Sequence, residues 1–202
     1  MKPPLPLLHS PAPRRAAALL ALALAACAAQ AQEQAREAGP TPEPRRVFID
    51  AARAAGDVGL VSVGVQWPWT LRRPFLGAEL TGHWDVHAAH WRAPAGTAQD
   101  GRTRNWTQLA LVPTLRLRFA GGASAWFMEG GIGLSVLNGT YATRYKRFST
   151  RFNFTDHQGI GFNFGPRRQH ELMLIVRHVS NGGIRKPNPG EDFVQIRYGV
   201  VF

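Results

Sequence analysis

Apolar and polar residues alternate in short segments from Val47 to the last residue, Phe202. Alternation is typical of β-strands, because successive side chains of a strand point to opposite faces of the sheet. Residues that favour turns separate eight such segments. The pattern predicts strands at residues 47–53, 57–67, 75–91, 104–119, 125–136, 152–164, 169–180 and 192–202.

Each segment has an apolar face, and most carry polar or charged residues on the other. In the third, Leu76, Leu80 and Val86 fall on one side, and Glu79 and Asp85 on the other. Charges opposite an apolar series recur along the chain, at Glu79, Arg116, Glu129, Glu171, Arg177 and Arg197. This predicts an all-β fold, an eight-stranded antiparallel transmembrane β-barrel with lipid outside and paired charges inside. A soluble lipocalin-like barrel would place its apolar face inside, and the terminal Phe202, typical of bacterial outer-membrane barrels, favours the membrane.

The first 31 residues have the pattern of a secretory signal peptide. Basic residues at 2, 14 and 15 precede an apolar run at 16–26, and Ala29-Gln30-Ala31 is a small-residue cleavage site. An alternative is a bacterial lipoprotein site at Leu24-Ala25-Ala26-Cys27, which would leave Cys27 lipidated. The polar, proline-rich residues 32–46 are predicted to form a flexible periplasmic tail, and residues 47–202 the barrel in the outer membrane.

The chain carries a formal net charge of +11 and one cysteine, Cys27. Cleavage after Ala31 would therefore leave no cysteine and no disulfide. Basic charge suits nucleic acid, but a signal peptide and a barrel argue against that partner. Basic side chains in predicted loops or strand ends are instead candidates for phosphate, or for general attraction to a negatively charged leaflet. They are Arg102, Arg104, Arg144, Lys146, Arg147, Arg151, Arg185 and Lys186.

A histidine and a serine interrupt the apolar face of the seventh segment. His178 and Ser180 continue its even-numbered apolar series. If the last hairpin pairs His178 with Asp192, then an acid, a base and a hydroxyl line up on the outer face, with the cross-strand Cβ atoms about 4.5–5.5 Å apart. Asp192 has the same parity as the apolar residues of the eighth segment, whereas the neighbouring Glu191 would point inward.

These are the residue types of a serine hydrolase. The histidine would take the proton of the serine hydroxyl and later donate it to the leaving alcohol, while the acid orients the imidazole. The developing oxyanion needs hydrogen-bond donors, which the Asn181-Gly182-Gly183 turn, together with Asn188, can offer. The alternative is that His178 and Ser180 only mark the aqueous edge of the apolar band.

The same stretch resembles the PagL family of outer-membrane lipid A 3-O-deacylases. The resemblance is carried by His178-Val179-Ser180-Asn181-Gly182-Gly183-Ile184, then Pro187-Asn188, Gly190 and an acid fourteen residues after the histidine. It implies an esterase that removes the acyl chain at position 3 of lipid A, the lipid part of lipopolysaccharide, with His178, Ser180 and Asp192 as its triad. Family members can carry Glu at the third place, and Asp is one methylene shorter, so Glu191 is kept as the fallback acid.

Two other functions stay open: an outer-membrane phospholipase that uses the same residues, and a non-catalytic structural or adhesion barrel. His83, Asp85 and His87 share one face of the third segment. Interior hydrogen bonding is expected there, because a metal also needs ligands that converge from other strands. No metal and no cofactor are expected, and a homodimer is left open.

Overall fold

The computed structural model of the chain describes residues 44–94 and 103–202. The predicted signal peptide, Cys27, most of the predicted tail and Arg102 lie outside the described residues. The strands are β1 Arg46–Ala54, β2 Val58–Phe75, β3 Ala78–Pro94, β4 Thr103–Arg118, β5 Trp126–Leu137, β6 Phe152–Phe164, β7 His170–Ser180 and β8 Glu191–Val201, with a short 3-10 helix at Ala120–Gly122. In the described ranges no helix is long and apolar enough to cross a bilayer.

The eight strands form a closed antiparallel barrel, which confirms the predicted fold class. Each strand pairs with the next along the chain, and β1 also pairs with β8. Closure gives every strand two neighbours, so the backbone hydrogen bonds of the sheet are satisfied within the barrel. We call the end that carries residues 138–151 and 181–190 the loop end; it lies opposite the end where β1 begins and β8 finishes.

The outer wall is apolar. Val63, Leu109 and Ile196 are 57, 58 and 58% exposed, whereas Arg177 and Arg197 are completely buried in the interior. A continuous wall of exposed aliphatic side chains is compatible with hydrocarbon and unfavourable in water. The barrel is therefore a transmembrane one, as the alternation predicted.

Paired charges fill the middle of the interior. Arg197 donates to Asp50 at 2.8 Å and to Asp85 at 2.6 Å. A second centre has Arg116 between Glu129 and Glu171, with N–O distances of 2.6 and 2.7 Å. Buried charges are tolerated only when partners of opposite sign surround them, and each arginine here meets two carboxylates from other strands.

The expected interior hydrogen bonding of His83, Asp85 and His87 is found at two of the three. Asp85 accepts a hydrogen bond from Nδ1 of His87 at 2.6 Å and also receives Arg197. All three side chains face the interior and are buried. They belong to the internal polar network and do not form a separate site.

Aromatic side chains close the interior at the loop end. Trp91, Trp106 and Phe193 come from strands, while Tyr141 and Phe148 come from the loop at residues 138–151. The ring centroids of Tyr141 lie 4.9 Å from Trp106 and 4.8 Å from Phe148. We call these five residues the aromatic plug. It anchors the loop to the strand ends.

The predicted boundary between the second and third strands is wrong. β2 continues to Phe75, β3 begins at Ala78, and Leu76 lies in the turn, where it is 91% exposed. The pairing of β2 with β3 shifts between Pro68 and Arg72, so extra residues of β2 bulge out there. Proline has no backbone N–H to donate, and the bulge hides the alternation on which the prediction relied. The other predicted strand ends agree within three residues.

The buried charge centre gives a stability prediction. Arg197→Met removes the cation that Asp50 and Asp85 share and leaves Asp50 with the more distant cation of Arg177, at 4.0 Å, so we expect the free energy of unfolding to fall by about 3–5 kcal/mol. Urea titration of the folded barrel in detergent micelles measures this loss. Arg104→Met, at an exposed position of β4, is the control and should change the value little. Equal losses in the two variants would contradict the assigned importance of the interior pairs.

Candidate active site

His178 and Asp192 lie directly opposite each other on β7 and β8, and the predicted register of this hairpin is confirmed. Nδ1 of His178 donates to Oδ1 of Asp192 at 2.6 Å. Their side chains are 38 and 72% exposed on the outer wall. Because the carboxylate binds the Nδ1 proton, it favours the tautomer in which Nε2 has a free lone pair. The ring can therefore act as a base toward a group outside the barrel.

Glu191 faces the interior and is only 1% exposed. Its two carboxylate oxygens accept hydrogen bonds from Tyr141 Oη at 2.7 Å and Lys146 Nζ at 2.8 Å. Burial raises the pKa of the Tyr141 hydroxyl, and the neighbouring carboxylate raises it further. Glu191 thus has two partners away from His178, and Lys146, one of the candidate phosphate ligands, is used in this contact.

Ser180 ends β7, two residues beyond His178 and opposite Phe154 of β6. It is 9% exposed, and its hydroxyl accepts from the backbone N–H of Gly182 at 3.4 Å. Within the part of the chain that the structure describes, no hydrogen bond joins Ser180 to the ring of His178. Two residues along a strand span about 6.6 Å, so the two side chains must lean toward each other to share a proton. Such contacts are often long in the absence of substrate.

The turn after Ser180 uses several of its candidate oxyanion donors internally. The N–H of Asn181 donates to Oδ1 of Asn188, and the N–H of Gly183 donates to Oδ1 of Asn181, both at 2.9 Å. The side-chain amide of Asn181 donates to Ser149 and to the carbonyl of Arg185. In this conformation Asn181, Gly183 and Asn188 hold the shape of the loop. The N–H of Gly182 is the donor of this turn that is directed at the serine hydroxyl.

Gly190 lies against the ring of His178. It has φ +68, and a Cβ added there would lie 2.5 Å from Cε1 of His178. A distance that short forces the ring or the backbone to move. Gly190 therefore provides the space in which the imidazole sits beside Asp192, a role that the sequence pattern did not reveal.

Asp156 is a site residue that the sequence analysis missed. It lies opposite His178 on β6, so His178 stands between Asp156 on one side and Asp192 on the other. Its even number places it in the outward series of β6, among Phe154 and Ile160, and this parity was a usable signal. In residues 44–94 and 103–202 no group of three or more His, Cys, Asp or Glu side chains is arranged to hold a metal ion.

Comparisons with known proteins identify the family to which the chain is similar. The family described as Lipid A 3-O-deacylase (PagL) matches residues 59–201. Lipid A deacylase PagL of Bordetella bronchiseptica is 35% identical over 118 residues, which cover 58% of this chain and 61% of that protein. Lipid A deacylase PagL of Pseudomonas aeruginosa is 28% identical over 153 residues, 74% of this chain and 83% of that protein. This chain thus spans less than two thirds of the length of the Bordetella relative.

Among solved structures, the crystal structure of the outer membrane enzyme PagL is similar, with a TM-score of 0.65 and 23% identity over 78% of this chain and 99% of that one. At that identity the likeness shows the fold. The fold and the candidate site define an outer-membrane β-barrel whose outer wall carries a histidine–carboxylate pair beside a serine. The family match covers more than half of the chain, so the chain belongs to the lipid A 3-O-deacylase (PagL) family.

Adding one methyl group at Gly190 tests its packing against His178. Gly190→Ala should displace the imidazole and lower hydrolytic activity at least tenfold, because small misplacements of a reacting group are costly. Gly77→Ala is the matched control, since Gly77 also has a positive φ, +78, but a Cβ there meets nothing within 4 Å. Activity is measured on purified, refolded barrels. Similar losses in the two variants would show that backbone strain alone is responsible.

Proposed function

We propose that the protein is a serine esterase that hydrolyses the 3-O-linked acyl chain of lipid A in the outer leaflet of the outer membrane. The observation that carries this proposal is the 2.6 Å contact between His178 and Asp192 on the outer wall, with Ser180 two residues beyond His178 on the same strand. Membership of the family supports the substrate, and the names of the two relatives agree with it.

The proposed reaction follows from the proton chemistry of the three side chains. Oγ of Ser180 attacks the ester carbonyl while Nε2 of His178 takes the proton from that hydroxyl. Asp192 stabilises the imidazolium that forms. The imidazolium then protonates the sugar oxygen that leaves from position 3, and an acyl-serine remains. Water, activated by the same imidazole, attacks this second ester and releases the fatty acid.

The negative charge on the carbonyl oxygen needs a donor close to Ser180. The N–H of Gly182 points toward the hydroxyl of Ser180 at 3.4 Å. We propose that it donates a hydrogen bond to the oxyanion that forms beside this hydroxyl. Asn181, Gly183 and Asn188 support this donor by fixing the turn around it. Gly182 lies in the turn that the sequence predicted as the source of these donors.

The surroundings of the site suit a lipid with phosphates. A groove of about 800 Å³ is lined by residues of β1, β2 and β3 and by Val194, which lies two residues from Asp192 on β8. Its lining includes the apolar Val61 and Ile196 and two basic residues, Arg53 and Arg92, with Asp57 beside them. Acyl chains fit such a lining, and guanidinium groups bind phosphate by charge and by paired hydrogen bonds.

The topology supports a position in the outer leaflet. With an even number of strands and both ends of the barrel chain in the periplasm, the loop end faces outside the cell. His178 and Asp192 then lie where acyl ester groups meet the headgroup region. We also propose that residues 1–31 act as the signal peptide for export and that the following residues form a periplasmic tail.

Mass spectrometry of lipid A tests the substrate. Cells that make the protein should lose one 3-linked hydroxyacyl chain from lipid A, whereas cells that make Ser180→Ala should keep it. Lysophospholipid with intact lipid A would identify a phospholipase instead. No change in either lipid class would favour the non-catalytic barrel and contradict the proposal.

A second test ranks the catalytic side chains. Ser180→Ala should reduce the turnover at least about a thousandfold with the barrel still folded, and Asp192→Asn about a hundredfold or more. Glu191→Gln should cost less, because that carboxylate faces the interior. Rates are measured on purified lipid A in mixed micelles. A larger loss in Glu191→Gln than in Asp192→Asn would contradict the choice of acid.

A further inference from the structure

The loop between β5 and β6 contacts both strand ends that carry the proposed catalytic residues. Tyr141 and Lys146 bind Glu191, the first residue of β8. Ser149 binds the loop that leaves β7, through Asn181 and Arg185. One segment, residues 138–151, thus connects two strand ends that need a fixed relation to each other. We call it the bracing loop.

On the β8 side the bracing loop fixes which way Asp192 points. Glu191 precedes Asp192 and is held inside by Tyr141 and Lys146, and Phe193 follows it and is buried in the aromatic plug. Because neighbouring residues of a strand face opposite sides, two inward neighbours keep Asp192 outward. A slip of one residue would exchange Glu191 and Asp192 between the faces.

On the β7 side the bracing loop fixes the residue after the proposed nucleophile. Nδ2 of Asn181 donates to Oγ of Ser149 at 2.9 Å and to the carbonyl of Arg185 at 2.8 Å. Ser149 donates to the same carbonyl at 2.7 Å. Asn181 is 1% exposed and its two side-chain bonds are partly buried, whereas the bond between Ser149 and Arg185 is exposed. They hold the turn whose Gly182 N–H points at Ser180.

The bracing loop is itself firmly held. Ala142 pairs with Arg147 in a short bridge, and Phe148 N–H donates to the carbonyl of Tyr141 at 2.9 Å. The ring of Tyr141 is completely buried in the aromatic plug. The bracing loop is thus packed in the aromatic plug and bonded to the ends of β7 and β8. It can therefore hold these two strand ends in a fixed relative position.

We propose that Tyr141 and Ser149 are positioning residues for the hydrolysis, acting through Glu191 on Asp192 and through Asn181 on Ser180. This inference rests on the proposed function. Both residues act through other residues, so substituting them should lower the rate of the chemical steps, kcat. Substrate affinity should stay close to that of the parent protein.

The test removes single hydroxyl groups. Tyr141→Phe keeps the ring in the plug and removes the hydroxyl that binds Glu191, and Ser149→Ala loses the bonds to Asn181 and Arg185. Each should lower kcat roughly tenfold with KM nearly unchanged, since displacements well under 1 Å are enough for such a loss. Tyr145→Phe is the matched control on the same loop, because Tyr145 is 70% exposed. It should behave like the parent protein.

Two further measurements separate positioning from a loss of folding. The folded fraction is read from the shift in gel mobility on heating, and the rate at which a fluorophosphonate labels Ser180 reports the site without lipid. Labelling should slow in proportion to kcat. The double variant Tyr141→Phe, Glu191→Gln should lose less than the product of the two single losses, because both changes alter the contact between Tyr141 and Glu191.

The outcomes distinguish this inference from the proposed function. Parent-like kcat and labelling in Tyr141→Phe and Ser149→Ala, with Ser180→Ala inactive, would overturn the inference and leave the function standing. A loss of activity explained by a lower folded fraction would overturn it as well. Activity that persists in Ser180→Ala would instead reject the function on which the inference rests.

Discussion

Every side chain on a strand of this barrel must face either hydrocarbon or the interior, and neighbours along the strand take opposite sides. Charged side chains are stable in the interior because they form ion pairs there, such as Arg197 with Asp50 and Asp85. Aliphatic side chains are stable on the outer wall because they need no hydrogen-bond partner in lipid. A polar residue in the outward series therefore stands out physically, since neither the internal network nor the solvent compensates it. His178, Asp192 and Asp156 are such residues.

The chemistry follows from where these residues lie. In the proposed reaction, the imidazole bound to a carboxylate near the loop end would meet a lipid ester without extraction of the lipid from the bilayer. It would also lie close enough to the headgroup region for water to take part in the second step. The same alternation separates the two adjacent acids: Asp192 serves the outer wall, and Glu191 joins Tyr141 and Lys146 inside. One methylene of difference between Asp and Glu thus matters less than the face on which each residue lies.

Sequence alone predicted most of the fold because the two-residue period appears in nearly every strand. The pairing of His178 with Asp192 was a hypothesis from the sequence, because parity places both residues on the outer face and this register aligns an acid with a base, and the structure has this register. The sequence prediction failed at Pro68 and Leu76, where a bulge and a turn interrupt the period. The contacts of Tyr141, Ser149 and Asn181 could not be predicted, because loop side chains find partners that lie close only in the folded barrel. Asp156 was predictable from parity and was overlooked.

Pairing of β1 with β8 closes the barrel, and the orientation of Asp192 depends on this closure. β8, which bears Asp192, is held on its other side only by β1. A lone hairpin of β7 and β8 would be marginally stable, so the carboxylate gains a durable orientation only when the cylinder is sealed. Before closure the proposed catalytic groups are therefore present but not aligned. On the proposed function, hydrolysis then begins only once the barrel has assembled.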